Sequence, residues 1–209
     1  MKNILLSASL LAATFITAQL TETRFGVNAN IHQSNVGNIH YDSKGRIAPA
    51  IGIFAQIPLK KYDGGEQAAK HRVFFVPQLE FNMAGESDKQ EGAGTVKYHN
   101  NYINLPLYFK YYFGFQGENG PHNAIVQAGP VVGVAVSQNV NGKALLAEYQ
   151  AADDNFKNFD LGLSVGLGYR IAPDFEALVR YDYGLLKPYE YKNRTYNYQL
   201  GVGINWLFR

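Results

Sequence analysis

The sequence predicts an all-β fold: an eight-stranded antiparallel transmembrane β-barrel, wound as an up-and-down meander, that follows a cleaved signal peptide. Three observations predict it. Apolar and polar residues alternate with period two in one segment after another. The segments run roughly 10 to 14 residues, against about five or six for strands of soluble sheets, and a tilted strand of that length crosses a bilayer. The chain also opens with a short apolar stretch that has the form of an export signal.

That stretch comes first. Met1-Lys2-Asn3 supplies a positive start, and Ile4 to Ile16 is apolar except at Ser7, Ser9 and Thr14, leading to a small residue at Ala18. It is shorter than the roughly 20 apolar residues of a spanning helix. The expected division is therefore a signal peptide over 1–18 and one barrel domain over 19–209. The chain has no Cys, which excludes a lipid anchor at the cut, a disulfide framework, a thiolate metal site and a cysteine nucleophile. A net charge of +2, from 19 basic and 17 acidic residues, excludes a nucleic-acid footprint. With 15 Tyr, 13 Phe and 21 Gly the composition is that of a chain in which alternate residues meet lipid.

The strands follow in order. Arg24 to Asn35 sets Phe25, Val27, Ala29 and Ile31 against Gly26, Asn28, Asn30 and His32. Ile47 to Leu59 carries Ile47, Ile51, Ile53, Ile57 and Leu59 on one side. From Val73 the apolar face is Val73, Phe75, Pro77, Leu79, Phe81 and Met83, opposed further along by Gln78, Glu80 and Asn82. From Ile103 it is Ile103, Leu105, Leu107, Phe109, Tyr111 and Phe113, against Asn104, Pro106, Tyr108, Lys110 and Tyr112. Ala124 to Val136 alternates Val126, Ala128, Val132, Val134 and Val136 with Gln127, Gly129, Gly133 and Ala135. From Phe159, seven apolar residues to Ile171 oppose Asp160, Gly162, Ser164, Gly166, Gly168 and Arg170. From Phe175, the set Phe175, Ala177, Val179, Tyr181, Tyr183 and Leu185 opposes Glu176, Leu178, Arg180, Asp182 and Gly184. Thr195 to Phe208 closes the series, Leu200, Val202, Ile204, Trp206 and Phe208 facing away from Gln199, Gly201, Gly203 and Asn205. Pro49, Pro77, Pro106 and Pro130 fall inside strands, where a missing N–H is expected to mark bulges or bends.

Size decides which face meets lipid. An eight-stranded barrel is only just wide enough inside for side chains. Gly, Ser, Asn and a few long charged chains fit there, whereas the large aromatic set belongs outside, with Tyr181, Tyr183, Tyr196, Tyr198 and Trp206 supplying an interfacial girdle. Charges in a narrow lumen must pair. The expected lumen charge network is Glu80, Lys110, Asp160, Arg170, Glu176, Arg180 and Asp182, with Arg24 and Arg72 also on polar faces. The opposite assignment describes a periplasmic, lipocalin-like carrier of a hydrophobic ligand. Connections alternate too: Gly37–Gly45, Gly85–Asn100, Asn139–Lys157 and Lys187–Asn193 at one end are long, and Gln116–Pro121 and Ala172–Asp174 at the other are short, with Lys60–His71 as the exception. Long loops belong outside the cell, which puts both termini at the periplasmic end.

Several runs carry a family resemblance. Phe25-Gly26-Val27, Tyr102-Ile103-Asn104-Leu105-Pro106-Leu107, Gln127-Ala128-Gly129-Pro130, Asp160-Leu161-Gly162-Leu163, Gly166-Leu167-Gly168-Tyr169, Arg180-Tyr181-Asp182-Tyr183-Gly184-Leu185 and Leu200-Gly201-Val202-Gly203-Ile204 keep their order across nearly the whole mature chain. In them the chain resembles the outer-membrane β-barrel family of Bacteroidetes that includes the PorT-like proteins. The resemblance implies fold and compartment, brings no catalytic set, and suggests an accessory role in protein secretion.

No catalytic motif, cofactor loop or metal-ligand spacing stands out. His32, His40, His71, His99 and His122 are scattered, the weak metal candidates being His40 with Asp42 and His99 beside Asn100 and Asn101. Gly162, Gly166 and Gly168 follow strand period and open no helix, so they are no dinucleotide loop. Ser34 and His32 share a face, but no third partner orients them. The function expected is non-enzymatic: outer-membrane lipid as the surroundings, no cofactor, no nucleic acid, and a protein partner bound through loops 85–100 and 139–157. Small-solute transport is the alternative.

Overall fold

The computed structural model describes residues 23–37, 43–59, 73–90, 94–113, 124–141, 157–188 and 195–208. They form eight strands: β1 (Arg24–Gly37), β2 (Ser43–Pro58), β3 (Val73–Gln90), β4 (Gly94–Phe113), β5 (Ala124–Asn141), β6 (Phe159–Ala172), β7 (Phe175–Gly184) and β8 (Tyr196–Leu207). Each pairs antiparallel with its neighbour in sequence, and β8 pairs with β1, which closes the barrel. The closing seam runs from Gly26 opposite Leu207 to Gly37 opposite Tyr196. Closure leaves no sheet edge facing hydrocarbon, the condition a β structure must meet in a bilayer.

The outer wall is apolar on every strand. Ile47, Ile171, Leu167, Ile31, Val202 and Val165 are each more than half exposed, whereas Lys110, Glu176 and Glu80 on the inward parity are at most 1% exposed. Two aromatic girdles bound this belt. At the end that carries the termini, Phe175 stacks on Trp206 at 5.9 Å, and Phe208 meets Trp206 edge-on at 5.4 Å. At the far end Tyr196 lies 5.1 Å from Tyr183 and 5.9 Å from Tyr198. No helix among the described residues is long and apolar enough to cross a membrane; the crossing is made by strands. The inside-out arrangement rules out the lipocalin-like alternative, because the large apolar faces turn outward, away from the bore.

Four sequence expectations need correction. First, β3 runs to Gln90 and β4 starts at Gly94, so most of the expected loop 85–100 is paired strand, Gly85 facing His99 and Glu86 facing Tyr98. Asn139 to Asn141 likewise belong to β5, while 142–156 lie outside the described residues, as do 60–72 and 114–123. Second, β2 begins at Ser43 and β1 ends at Gly37, which shortens the first far-end connection to 38–42. Third, of the four strand prolines only Pro49 falls within a register shift, between Gly45 and Ala50. Pro77 faces Leu107, Pro106 faces Val131 and Pro130 faces Leu163 in unshifted ladders. A proline forfeits one ladder bond but fits extended backbone, so it needs no inserted residue. The other two shifts fall at Asn101/Tyr102 and Arg170/Ala172.

Fourth, the lumen is not filled by small and charged residues alone. Phe54, Phe74, Val76, Tyr108, Tyr112, Ile125, Leu178 and Leu207 form a buried apolar cluster inside the terminal end of the barrel. Large residues project inward from β2, β3 and β4, and glycines on β6 and β8 make room for the side chains of their neighbouring strands. A methyl at Gly168 would stand 2.9 Å from Leu178, and one at Gly203 would stand 3.1 Å from the Asn30 Cβ. Large beside small on paired strands is how a narrow barrel reaches interior packing density.

Candidate functional site

The chemistry of this protein sits in layers along the bore, and period two places it there. Inward positions on β3, β4 and β7 are even-numbered, so Glu80, Lys110, Glu176, Arg180 and Asp182 all project into one tube. The layer nearest the termini centres on Glu176. Its carboxylate accepts from Lys110 Nζ at 2.7 Å, from Asn205 Nδ2 at 3.1 Å and from the Tyr112 hydroxyl. Gln56 Oε1 takes a bond from Lys110 at 3.3 Å, and the Arg170 guanidinium lies over the Tyr112 ring, 4.1 Å from its centroid. Arg170 also comes within 3.9 Å of Glu176. Lys110 and Glu176 are fully buried and sit against the aromatic cluster, so this layer is a plug.

A second layer lies towards the far end. Arg180 donates two parallel bonds of 2.9 Å to the two oxygens of Glu80, the fork-on-fork geometry that makes arginine–carboxylate pairs strong. Glu80 also accepts from Asn28 at 3.0 Å and from Gln78 at 2.7 Å. Arg180 Nε reaches Asp182 at 3.1 Å, Ser164 donates to Asp182, and the Tyr108 hydroxyl shares a bond with Ser164 at 3.1 Å. Between the layers is a cavity of about 20 Å³ bordered by Asn28, Asn30, Gln127, Arg180 and Asn205, room for about one water by the usual measure of ~10–15 Å³ each. The unbonded amide oxygens of Asn28 and Asn30 suit such a water.

Six of the seven charged residues expected in the lumen therefore meet, in two clusters: Lys110, Glu176 and Arg170, then Glu80, Arg180 and Asp182. Asp160 stands apart and accepts from Asn197 Nδ2 at 2.7 Å. Arg24, also expected inward, bonds Asp174 and the Pro173 carbonyl at the terminal rim. Sequence reading missed Gln56, Asn28, Tyr108, Tyr112 and Ser164 as members of the clusters. Their even numbering on known strands was the available signal, but parity alone does not say which side chains meet across the bore.

The weak catalytic and metal candidates dissolve. Ser34 Oγ bonds the Gly85 carbonyl at 2.9 Å and accepts from the Gly85 N–H at 3.0 Å, while His32 Nε2 bonds the Met83 carbonyl at 3.0 Å. Both side chains pin β1 to β3 and neither orients the other. His99, Asn100 and Asn101 lie on a strand, so Asn100 points to the face opposite His99 and Asn101 and the three do not converge on one ion. His40 and Asp42 lie outside the described residues. Among the described residues no group of three or more His, Asp or Glu side chains is placed to hold a metal.

A closed barrel with an apolar outer belt between two aromatic girdles and a hydrogen-bonded charged bore defines an integral protein of the bacterial outer membrane. The chain belongs to the family described as outer membrane protein beta-barrel domain, whose profile matches residues 17–190. No curated protein matches it. Among solved structures it is similar to neisserial surface protein A, at 11% identity over 89% of this chain and 97% of that one, with a TM-score of 0.45. Ail of Yersinia pestis in complex with the heparin analogue sucrose octasulfate gives 11% identity, 90% and 99% coverage and a TM-score of 0.47. OprG of Pseudomonas aeruginosa gives 11%, 90%, 94% and 0.40. At these identities no function is carried across.

Proposed function

We propose that this protein is a closed, non-enzymatic membrane anchor whose far end faces the cell exterior and binds a partner. The observation that carries the reading is the unequal height of the wall above a blocked bore. β3 and β4 are 18 and 20 residues long, whereas β7 and β8 are 10 and 12. The outward apolar run ends near Met83 and Ile103, and the strands continue to Gln90 and back from Gly94. Beyond the lipid belt the β3–β4 hairpin thus extends several further residues, each rising ~3.4 Å along the strand. A rigid hairpin above the membrane is a suitable platform for recognition, and β5, which ends at Asn141, reaches the same end.

The plug around Lys110 and Glu176 argues against solute transport, since those side chains have no exposed surface. The residue runs quoted above support a place among the PorT-like barrels of Bacteroidetes, and the N-terminal pattern supports a signal peptide over 1–18 ahead of a barrel domain over 19–209.

The test uses the full chain. In planar bilayers the folded protein is expected to show no steady conductance. Replacing residues 87–97 by a two-residue Asn-Gly turn is expected to leave a heat-modifiable barrel in the outer membrane that no longer crosslinks to its partner in intact cells. Stable ion conductance, or a crosslinking pattern unchanged both by this replacement and by removal of 142–156, would overturn the reading.

A further inference from the structure

The mouth of the barrel at the far end holds a polar cleft that the two charged layers do not use. It is lined by Asp160, Asp182, Asn104 and Asn197 over bare backbone at Gly133 and Gly162, and it encloses about 30 Å³. Its charge is one-sided. Glu176 has Lys110 as its partner, and Glu80 and Asp182 share the single cation Arg180. Among the described residues no cation reaches Asp160, whose carboxylate accepts from the Asn197 amide at 2.7 Å and from the Leu161 backbone N–H. A part-buried carboxylate without a counter-charge is an unfavourable arrangement unless a ligand completes it.

Asn104 points to the same place independently. It is only 8% exposed, and its amide makes no hydrogen bond among the described residues. Its Oδ1 lies 2.7 Å from where a Gly133 Cβ would stand, and Asp160 Cβ lies 3.6 Å from that point. Bare backbone at Gly133 thus gives the Asn104 amide oxygen room to lie beside Asp160, and the two form a small cradle at the floor of the cleft. Buried polar groups in native proteins are ordinarily satisfied, so this cradle has the form of a site for a donor.

We infer that the cleft binds the terminal ammonium of an alkylamine, held by Asp160 and Asn104 at the floor. The volume sets the class of ligand. About 30 Å³ admits a group of the size of a water or an ammonium. It does not admit a whole amino acid, so the alkyl chain must leave through the mouth. A free polyamine and the lysine side chain of a peptide share this chemistry. The inference is separate from the anchor reading, because a conducting barrel could hold the same group.

Titration calorimetry of the full chain, folded in detergent micelles, tests it with cadaverine and with an acetylated, amidated Ala-Lys-Ala peptide; 1-pentanol and calcium chloride serve as controls. Saturable binding of either amine is expected, none of pentanol, and the stronger amine identifies the source. Asp160→Asn, nearly isosteric, is expected to weaken binding at least about tenfold, as loss of a charged hydrogen-bond partner does. Asn104→Leu keeps the charge and is expected to weaken it several-fold, which preserves the test if Asp160→Asn fails to fold. No amine binding, binding unchanged in both variants, or tighter binding of calcium at the same residues would each overturn the inference.

Discussion

Arg180 is the side chain on which most of the interior depends, and Arg180→Met is the perturbation that shows it. The guanidinium makes two bonds of 2.9 Å to Glu80 and one of 3.1 Å to Asp182. Its side chain is 7% exposed, that of Glu80 0% and that of Asp182 16%. Removing one partner of a buried pair costs about 3–5 kcal/mol, because the remaining charge stays buried. Here two carboxylates would be left, which argues for the upper end. Against that, Glu80 keeps its amide donors Asn28 and Gln78, and Asp182 keeps Ser164. The expected loss is therefore about 4 kcal/mol. Urea unfolding of the barrel in lipid vesicles measures it, with the single tryptophan, Trp206 in the terminal girdle, as the fluorescent reporter and gel mobility as a second probe. Glu80→Gln added to Arg180→Met should recover a large part of the loss, because a neutral amide is cheaper to bury than a carboxylate. A loss below about 1 kcal/mol in the single variant, in the range of exposed ion pairs, would refute the buried bidentate pair.

Two further outcomes follow from the wall and the rim. Val165→Arg, midway along β6 and 53% exposed on the outer face, should cost roughly 2–4 kcal/mol in the same assay, the penalty for arginine near the bilayer midplane; a neutral effect would mean that this face does not meet lipid. Gly85→Ala should cost about 1–3 kcal/mol and raise hydrogen exchange in the β3–β4 overhang alone, since Gly85 has φ +142° and a methyl there would stand 1.9 Å from the Tyr98 carbonyl oxygen; unchanged exchange would show that the overhang is not anchored at this residue.

What was legible in the sequence, and what was not, follows from what alternation reports. Period two records the contrast between two environments, not strand pairing itself. Ile103 to Phe113 alternates strongly because lipid lies on one side and a charged bore on the other. Glu86 to Gln90 and Gly94 to Asn101 are equally strand, but outside the belt the outward positions Ser87, Lys97 and Asn101 are as polar as the inward Glu86 and Asn100. The signal vanished there although the ladder continued, so a paired hairpin read as a loop. The prolines show the reverse: Pro77, Pro106 and Pro130 carry a strong local signal for disruption, yet the register passes through each unchanged.

The interior was half legible for a related reason. Parity says that Glu80, Asp160, Glu176, Arg180 and Asp182 face the bore, and near-neutral charge says that they should pair. It does not say who meets whom, because that depends on the height each position reaches around a tilted, staggered barrel. Arg180 finds Glu80 across 100 residues of sequence, and Lys110 finds Glu176 across 66. Asp160 has the same parity on β6 as Arg170 but sits ten residues further along that strand, near the mouth and clear of every described cation. Among the described residues, charge balance over the whole bore therefore conceals a local imbalance at one end. That unevenness is invisible in a count of 19 basic and 17 acidic residues, which carries no positions.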